Sequence, residues 1–255
     1  MDKIQRSLKY FLFLIAIVSL SSCGPARCDD DSGDECLRIL FVGNSYTFSN
    51  DLPNTFANLA RSGGHPVEVA MLAEGGVGFV EHLNSPQFSS TLTSSVWDYV
   101  VLQEQSQTPS IEAWRTQSMY PAARELVQRI RATSAQPIFF ETWAHRGGFP
   151  ENGLSNYEAM QYEINQGYKR IASELGVRLA PVGLAWFRAL QANPGLQLWQ
   201  EDGSHPSEQG TYLAACVFYV TFFNESPVGL NYRGNLSEEV ALQLQEAENS
   251  VFVNP

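Results

Sequence analysis

Ser45 follows Gly43 and Asn44 at the end of an apolar run, residues 37–42, and Asp202 stands three residues ahead of His205 in Asp202-Gly203-Ser204-His205-Pro206. A serine hydroxyl is a weak nucleophile until a neighbouring base accepts its proton, and imidazole is the side chain suited to that near neutral pH. A carboxylate behind the ring fixes its orientation and stabilises its protonated form. A spacing of three lets one loop turn bring Asp202 onto the Nδ1 side of His205, leaving Nε2 free for Ser45. The chemistry of such a set is acyl transfer from an ester through a covalent acyl-serine.

For these groups to meet, the elements around them must place both segments at one edge of a cleft. Five short apolar runs, residues 37–42, 67–72, 99–102, 138–142 and 177–181, read as strands. Their apolar character is continuous rather than alternating, which fits burial on both faces of a parallel sheet. Between and after them, residues 52–62, 119–133, 157–175, 184–190, 208–223 and 237–248 carry helical spacing. Pro53 lies at the start of one helix and Gly176 closes another. The pattern predicts an α/β protein, a three-layer α/β/α sandwich around a flavodoxin-like five-stranded parallel sheet of order 2-1-3-4-5. Ligands bind such sheets at the carboxyl ends of the strands, near the point where the order reverses. Ser45, just past the first strand, occupies that place.

The residues from Ile39 to about Tyr212 resemble the SGNH (GDSL-like) hydrolase superfamily in four short blocks. Ile39 to Ser45 resembles the first strand and its nucleophile turn, with Asn44 where the family has Asp. Asp202-x-x-His205, followed by Pro206 and a helix start, resembles the last block. The resemblance implies Ser45 as nucleophile, His205 as base and Asp202 as its partner, with no metal or organic cofactor. It also implies three oxyanion donors: the Ser45 N–H, a glycine N–H after the second strand, and a side-chain amide after the third. Distance from the strand favours Gly78 for the second donor, with Gly76 next. In place of the family's Gly-x-Asn-Asp the chain has Gln103-Glu104-Gln105-Ser106. Gln103, first off the strand, is expected as the third donor, ahead of Gln105. His145 could contact substrate, His65 and His82 read as surface or loop residues, and Trp143, Trp186 and Trp199 read as core or rim.

The chain has 255 residues, 44% of them hydrophobic and only four of them cysteine, with a net charge of −11. That length fits one α/β domain. Lys3, Arg6 and Lys9 precede an apolar stretch, residues 10–20, that ends in Leu20-Ser21-Ser22-Cys23. This looks like the signal of a bacterial lipoprotein, residues 1–22, with Cys23 acylated after cleavage. Loss of that leader removes three basic residues and one acidic one, moving the net charge to −13. Such a surface repels phosphate backbones, which argues against nucleic acid as a partner. Residues 23–36 are acidic and poor in apolar side chains, as a tether between lipid and a domain over 37–255 would be. Cys28 and Cys36 are close enough for a disulfide, and Cys216 reads as an inert core residue. The expected activity is a lipid-anchored, extracytoplasmic esterase acting on small acyl groups, O-acetyl first, carried by a glycan. A lipid ester comes second because no long apolar lid is evident. A weakly catalytic glycan- or partner-binding lipoprotein on the same fold is the rival, and acyl transfer to a hydroxyl is a third possibility.

Overall fold

A computed structural model describes Cys28 and residues 36–253, apart from the side chains of 249–253; the leader, Cys23 and most of the tether lie outside the described residues. Five strands, β1 (Leu37–Gly43), β2 (Val67–Ala73), β3 (Tyr99–Leu102), β4 (Gln136–Phe140) and β5 (Arg178–Ala180), form one sheet of order β2-β1-β3-β4-β5. All neighbours are parallel, with Leu37 opposite Val67 and Ile39 opposite Tyr99 fixing the register around β1. Ile39, Leu40 and Phe41 are fully buried, as a strand covered on both faces requires. The chain leaves β1 for β2 on one side and returns to β3 on the other. The resulting crevice opens at the ends of β1 and β3, where Ser45 and Gln103 follow.

The crossovers are helical. They comprise α1 (Ser45–Phe48), α2 (Leu52–Ser62), α3 (Phe79–Asn84), α4 (Pro86–Thr93), α5 (Glu112–Trp114), α6 (Tyr120–Arg131) and α7 (Tyr157–Leu175). After β5 come α8 (Val182–Ala192), α9 (Glu208–Phe223) and α10 (Glu238–Val253). Local chemistry sets their ends. The Asn156 side chain accepts the Ala159 N–H to start α7, and Gly176, at φ 57°, stops it. Ser207 caps α9 in the same way, and α9 is then buried along most of its length. It packs against α2, α8 and α10, so the helix that follows His205 is fixed in the core.

Two differences from the sequence reading stand out. β4 begins at Gln136 and ends at Phe140, two residues early, because its register with β3 pairs Tyr99 with Gln136. The short helices α3 and α4 lie in a stretch rich in Ser, Thr and Asn, whose helical periodicity is weak. Asp51 precedes α2 but does not cap it; its backbone is left-handed and its carboxylate accepts from the Asn54 side chain at 2.8 Å. Cys28 and Cys36 form a disulfide, and Cys216 is buried, its thiol pushed well up by burial.

Glu141, the residue after β4, is fully buried, and its Oε2 has no partner among the described residues. Burial raises its carboxyl to about 8, against a smaller downward pull from Lys169. A carboxyl that stays protonated in the fold but ionises near 4.5 when exposed makes the folded state lose stability as pH climbs from 4.5 to 8. Glu141→Gln keeps the shape and cannot ionise. Thermal unfolding followed by circular dichroism should show a flatter fall in Tm across that window, with a gain at the alkaline end on the order of 5 °C.

Candidate active site

The turn from β1 into α1 has few regular backbone partners, so buried side chains supply them. Asn44 caps α1: its Oδ1 accepts the Tyr46 N–H at 3.1 Å, and its Nδ2 donates to the Val77 carbonyl at 2.8 Å. The Asn44 N–H donates to Gln103 Oε1 at 2.9 Å, and the Thr47 hydroxyl donates to the same oxygen at 2.9 Å. His82 Nε2 lies 2.8 Å from the Gly43 carbonyl and donates to it. Gly43 must be glycine, since a Cβ there would run into the Thr47 and Gln103 side chains. Thus held, Ser45 sits half-buried at the crevice, and its N–H heads a helix that leaves it without an internal partner.

Across the crevice, Asp202 organises its own loop. Its Oδ1 accepts the N–H groups of Ser204 and His205 at 2.9 and 3.0 Å, and its Oδ2 lies 2.5 Å from His205 Nδ1. Gly203, at φ 69°, makes the turn possible. Burial would raise the Asp202 carboxyl, but hydrogen bonds from the His205 ring and from the two backbone N–H groups outweigh it and hold it at about 2. The group is therefore a carboxylate at any pH above that range. His205 Nε2 then lies 3.0 Å from Ser45 Oγ. Ser45, His205 and Asp202 stand in one hydrogen-bonded line. Nδ1 bears the proton that faces Asp202, so Nε2 is free to accept one from Ser45. The His205 and Asp202 side chains are 37% and 47% exposed, so the line lies in an open groove.

The remaining site residues divide. Gly78 lies beside the turn, because the carbonyl of the preceding Val77 receives the Asn44 amide. Its N–H is engaged at the start of α3 by Glu81 Oε2 at 2.8 Å, so an oxyanion would have to replace that exposed carboxylate. A Cβ at Gly78 would overlap Glu104 Oε1. Gln103 requires correction. It is fully buried, its Oε1 serves the nucleophile turn, and its Nε2 donates to the Glu104 carbonyl, so no part of its amide faces the groove. Gln105 is half-buried, and its Oε1 accepts the Gln107 and Thr108 N–H groups. The Gln105 Nε2 makes one long contact, 3.4 Å to the Ser106 hydroxyl, and retains donor capacity. Glu104 fastens these pieces together, its Oε1 accepting from Phe79 N at 3.1 Å and Gln105 N at 2.6 Å.

His82 also differs from its expected surface position. It is 4% exposed, and burial lowers its pKa, which favours the neutral ring that donates to Gly43. His65 is partly exposed and stacks on Phe223. His145 accompanies Ser106, with Nε2 at 3.2 Å from its hydroxyl, and burial lowers its pKa against the pull of Asp202. Tyr46, Trp143 and Trp186 form a buried stack with centroids 4.5 and 4.1 Å apart, and Trp143 Nε1 donates to the Ser204 carbonyl. The tryptophans thus brace the histidine loop from the core. Sequence reasoning missed Tyr46, Asn50 and Ser204. Among the described residues, no three His, Cys, Asp or Glu side chains cluster as a metal site.

Solved structures share this fold. A DUF4886 family protein from Bacteroides uniformis superposes with a TM-score of 0.76 at 19% identity, over 87% of this chain and 96% of that one. A candidate SGNH hydrolase from Slackia heliotrinireducens is 30% identical, with a TM-score of 0.61 over 73% of this chain and 98% of that one. A mutant of an acetyl-xylooligosaccharide esterase from Geobacillus shares the fold at 14% identity, with a TM-score of 0.54 over 72% and 93% of the two chains. No family model and no curated protein matches the chain.

Replacing Gln103 by Leu would strand the Asn44 N–H and the Thr47 hydroxyl in the core. Urea unfolding of Gln103→Leu should show a loss of about 1–3 kcal/mol, the cost of buried polar groups left unpaired.

Proposed function

Because the chain belongs to the SGNH hydrolase superfamily, we propose that it is a serine esterase that removes O-acetyl or other small acyl groups from carbohydrate. The observation that carries the reading is the 3.0 Å approach of His205 Nε2 to Ser45 Oγ with the Asp202 carboxylate behind the ring. Ser45 Oγ attacks the ester carbonyl carbon as its proton passes to His205 Nε2. The carbonyl oxygen becomes an oxyanion, held by the Ser45 N–H, by the Gly78 N–H once Glu81 withdraws, and by Gln105 Nε2. Collapse breaks the bond to the sugar oxygen, which leaves with the proton from His205. Water, deprotonated by the same ring, then attacks the acyl-serine, and the carboxylic acid departs with Ser45 restored. Asp202 stays ionised throughout and stabilises the imidazolium.

Two features support a glycan substrate. The triad lies in an open groove that a chain could cross. Behind the histidine loop lies a cavity of about 350 Å³ whose lining includes Tyr157, Phe187, Trp199, Arg146 and Glu158. Flat aromatic surface beside charged and polar groups suits a sugar, which has apolar faces and hydroxyl edges. The Cys28–Cys36 disulfide fits an oxidising compartment, and with the leader it supports a lipid anchor at Cys23 on an extracytoplasmic head. No helix among the described residues is long and apolar enough to cross a membrane.

A fluorophosphonate probe should label wild type and not Ser45→Ala. With p-nitrophenyl acetate, His205→Ala should lose at least about 1,000-fold in kcat, and Gln105→Ala about 100-fold as a donor lost from the oxyanion. Acetylated oligosaccharides should be deacetylated, and octanoyl esters should react more slowly than acetyl ones. A preference for long acyl chains with acetylated glycans untouched would shift the substrate to lipid. Wild type that resists the probe yet binds glycan would be a binding protein on this fold. In its native host, Cys23→Ala should move the protein from the membrane fraction to the soluble one.

A further inference from the structure

Asn50 and Asp51, between α1 and α2, are consecutive residues in the left-handed region, each with φ 52°. Asn and Asp tolerate that region better than other side chains, but a tandem pair is strained and persists only where its surroundings enforce it. The strained turn aims the Asn50 amide at the histidine loop. Its Nδ2 donates to the Pro206 carbonyl at 2.9 Å and to the buried Thr211 hydroxyl at 2.9 Å.

Pro206 directly follows His205. On the other side of that histidine, the Ser204 hydroxyl lies 2.8 Å from the Tyr46 hydroxyl, and the Tyr46 ring meets the His205 ring edge-on at 5.9 Å. Tyr46 and Asn50 both belong to the short segment that begins at Ser45. The residues flanking the histidine are therefore each tied to the chain that carries the serine. Ser45, Asn50, Pro206 and His205 close a small circuit whose last link is the Nε2 to Oγ contact.

We infer that Asn50 is a positioning residue: its left-handed turn and its amide hold His205 at proton-transfer distance from Ser45. The inference rests on the esterase reading of this site. Asn50 acts through the loop and touches none of the reacting atoms. The Pro206 carbonyl also accepts from Gln200 Nε2 at 3.0 Å, so one tether survives when Asn50 is changed.

Asn50→Gly relieves the backbone strain and deletes the amide; Asn50→Asp retains the left-handed tolerance and the shape but lacks the amide donor. With p-nitrophenyl acetate, both should lose about 10- to 100-fold in kcat with KM within about twofold of wild type, the size of effect expected when a catalytic group is misplaced. Fluorophosphonate labelling of Ser45 should slow in step, while Tm of Asn50→Gly stays close to wild type. If that variant melts below the assay temperature, Asn50→Asp carries the comparison. In a His205→Ala background, adding Asn50→Gly should not lower the residual rate further. Full kcat in the folded variants overturns the inference. So does an equal loss in the His205→Ala background, which would mark general loosening. Wild type inert to both ester and probe removes the esterase reading, and the positioning role falls with it.

Discussion

The contact between Ser45 and His205 joins residues 160 apart in sequence, and the rest of the architecture serves to close that distance to 3.0 Å. Ser45 is placed by β1, a strand inside a parallel sheet and buried on both faces. His205 is placed by a loop that ends in α9, whose first turns are already in the core. Neither element can move without disturbing close packing, and close packing resists small displacements. Proton transfer needs heavy atoms within hydrogen-bond reach. In the proposed reaction, mounting the two groups beside a buried strand and a buried helix meets that need.

Around Ser45, the stabilising interactions change in kind. Most of the backbone in a sheet or helix is paired by the regular ladder, but the β1 to α1 turn leaves the Asn44 N–H outside it and gives the Gly43 carbonyl only a long bond, 3.3 Å, from the Glu74 N–H. His82 and Gln103 fill those places from beneath, and Asn44 spends its own side chain on Tyr46 and Val77. A buried polar group without a partner costs about 1–3 kcal/mol, so these residues cannot be exchanged for apolar ones of similar size without loss. The same network makes the site rigid, because each acceptor is fixed by a side chain that itself has no room to turn. Gly43 and Gly78 complete it by leaving space where a Cβ would collide.

This explains what could be read in advance and what could not. Strand identity follows from short, continuously apolar runs, and the sheet order from their regular alternation with helical periods, a signal that persists along the chain. Ser45, Asp202 and His205 were legible because the serine ends a strand and the other two act within one loop turn, where spacing alone brings them together. The choice between Gln103 and Gln105 has no such signal. Both are amides just past β3, and which of them turns into the crevice depends on how the chain leaves the sheet at Leu102. His82 lies in a short helix of weak periodicity, so nothing in the sequence marked its face. Asn50 was hidden for another reason: its contribution comes from a left-handed backbone that Asn permits but does not announce.

The charge state of the groove follows from burial. The chain is strongly acidic, yet the proposed reaction forms an oxyanion beside Ser45, and additional negative charge at close range would oppose it. Asp202 is held ionised by three hydrogen bonds and is screened from Ser45 by the imidazole between them. Two carboxyls are placed to do harm: Glu81, on the Gly78 N–H, and Glu104, beside Gly78 and Gln105. Burial raises Glu104 to about 7, only partly offset by its two backbone donors. Burial likewise pushes the Tyr46 phenol up to about 12, so it remains a neutral donor. In the esterase reading the reacting carbonyl thus meets two full charges, Asp202 where it stabilises the protonated histidine and the exposed Glu81, which must leave the Gly78 N–H, while Glu104 is largely neutral below pH 7. An acidic surface and an anionic intermediate are compatible where the buried carboxyl, Glu104, is held largely neutral and the exposed one, Glu81, is free to swing into solvent.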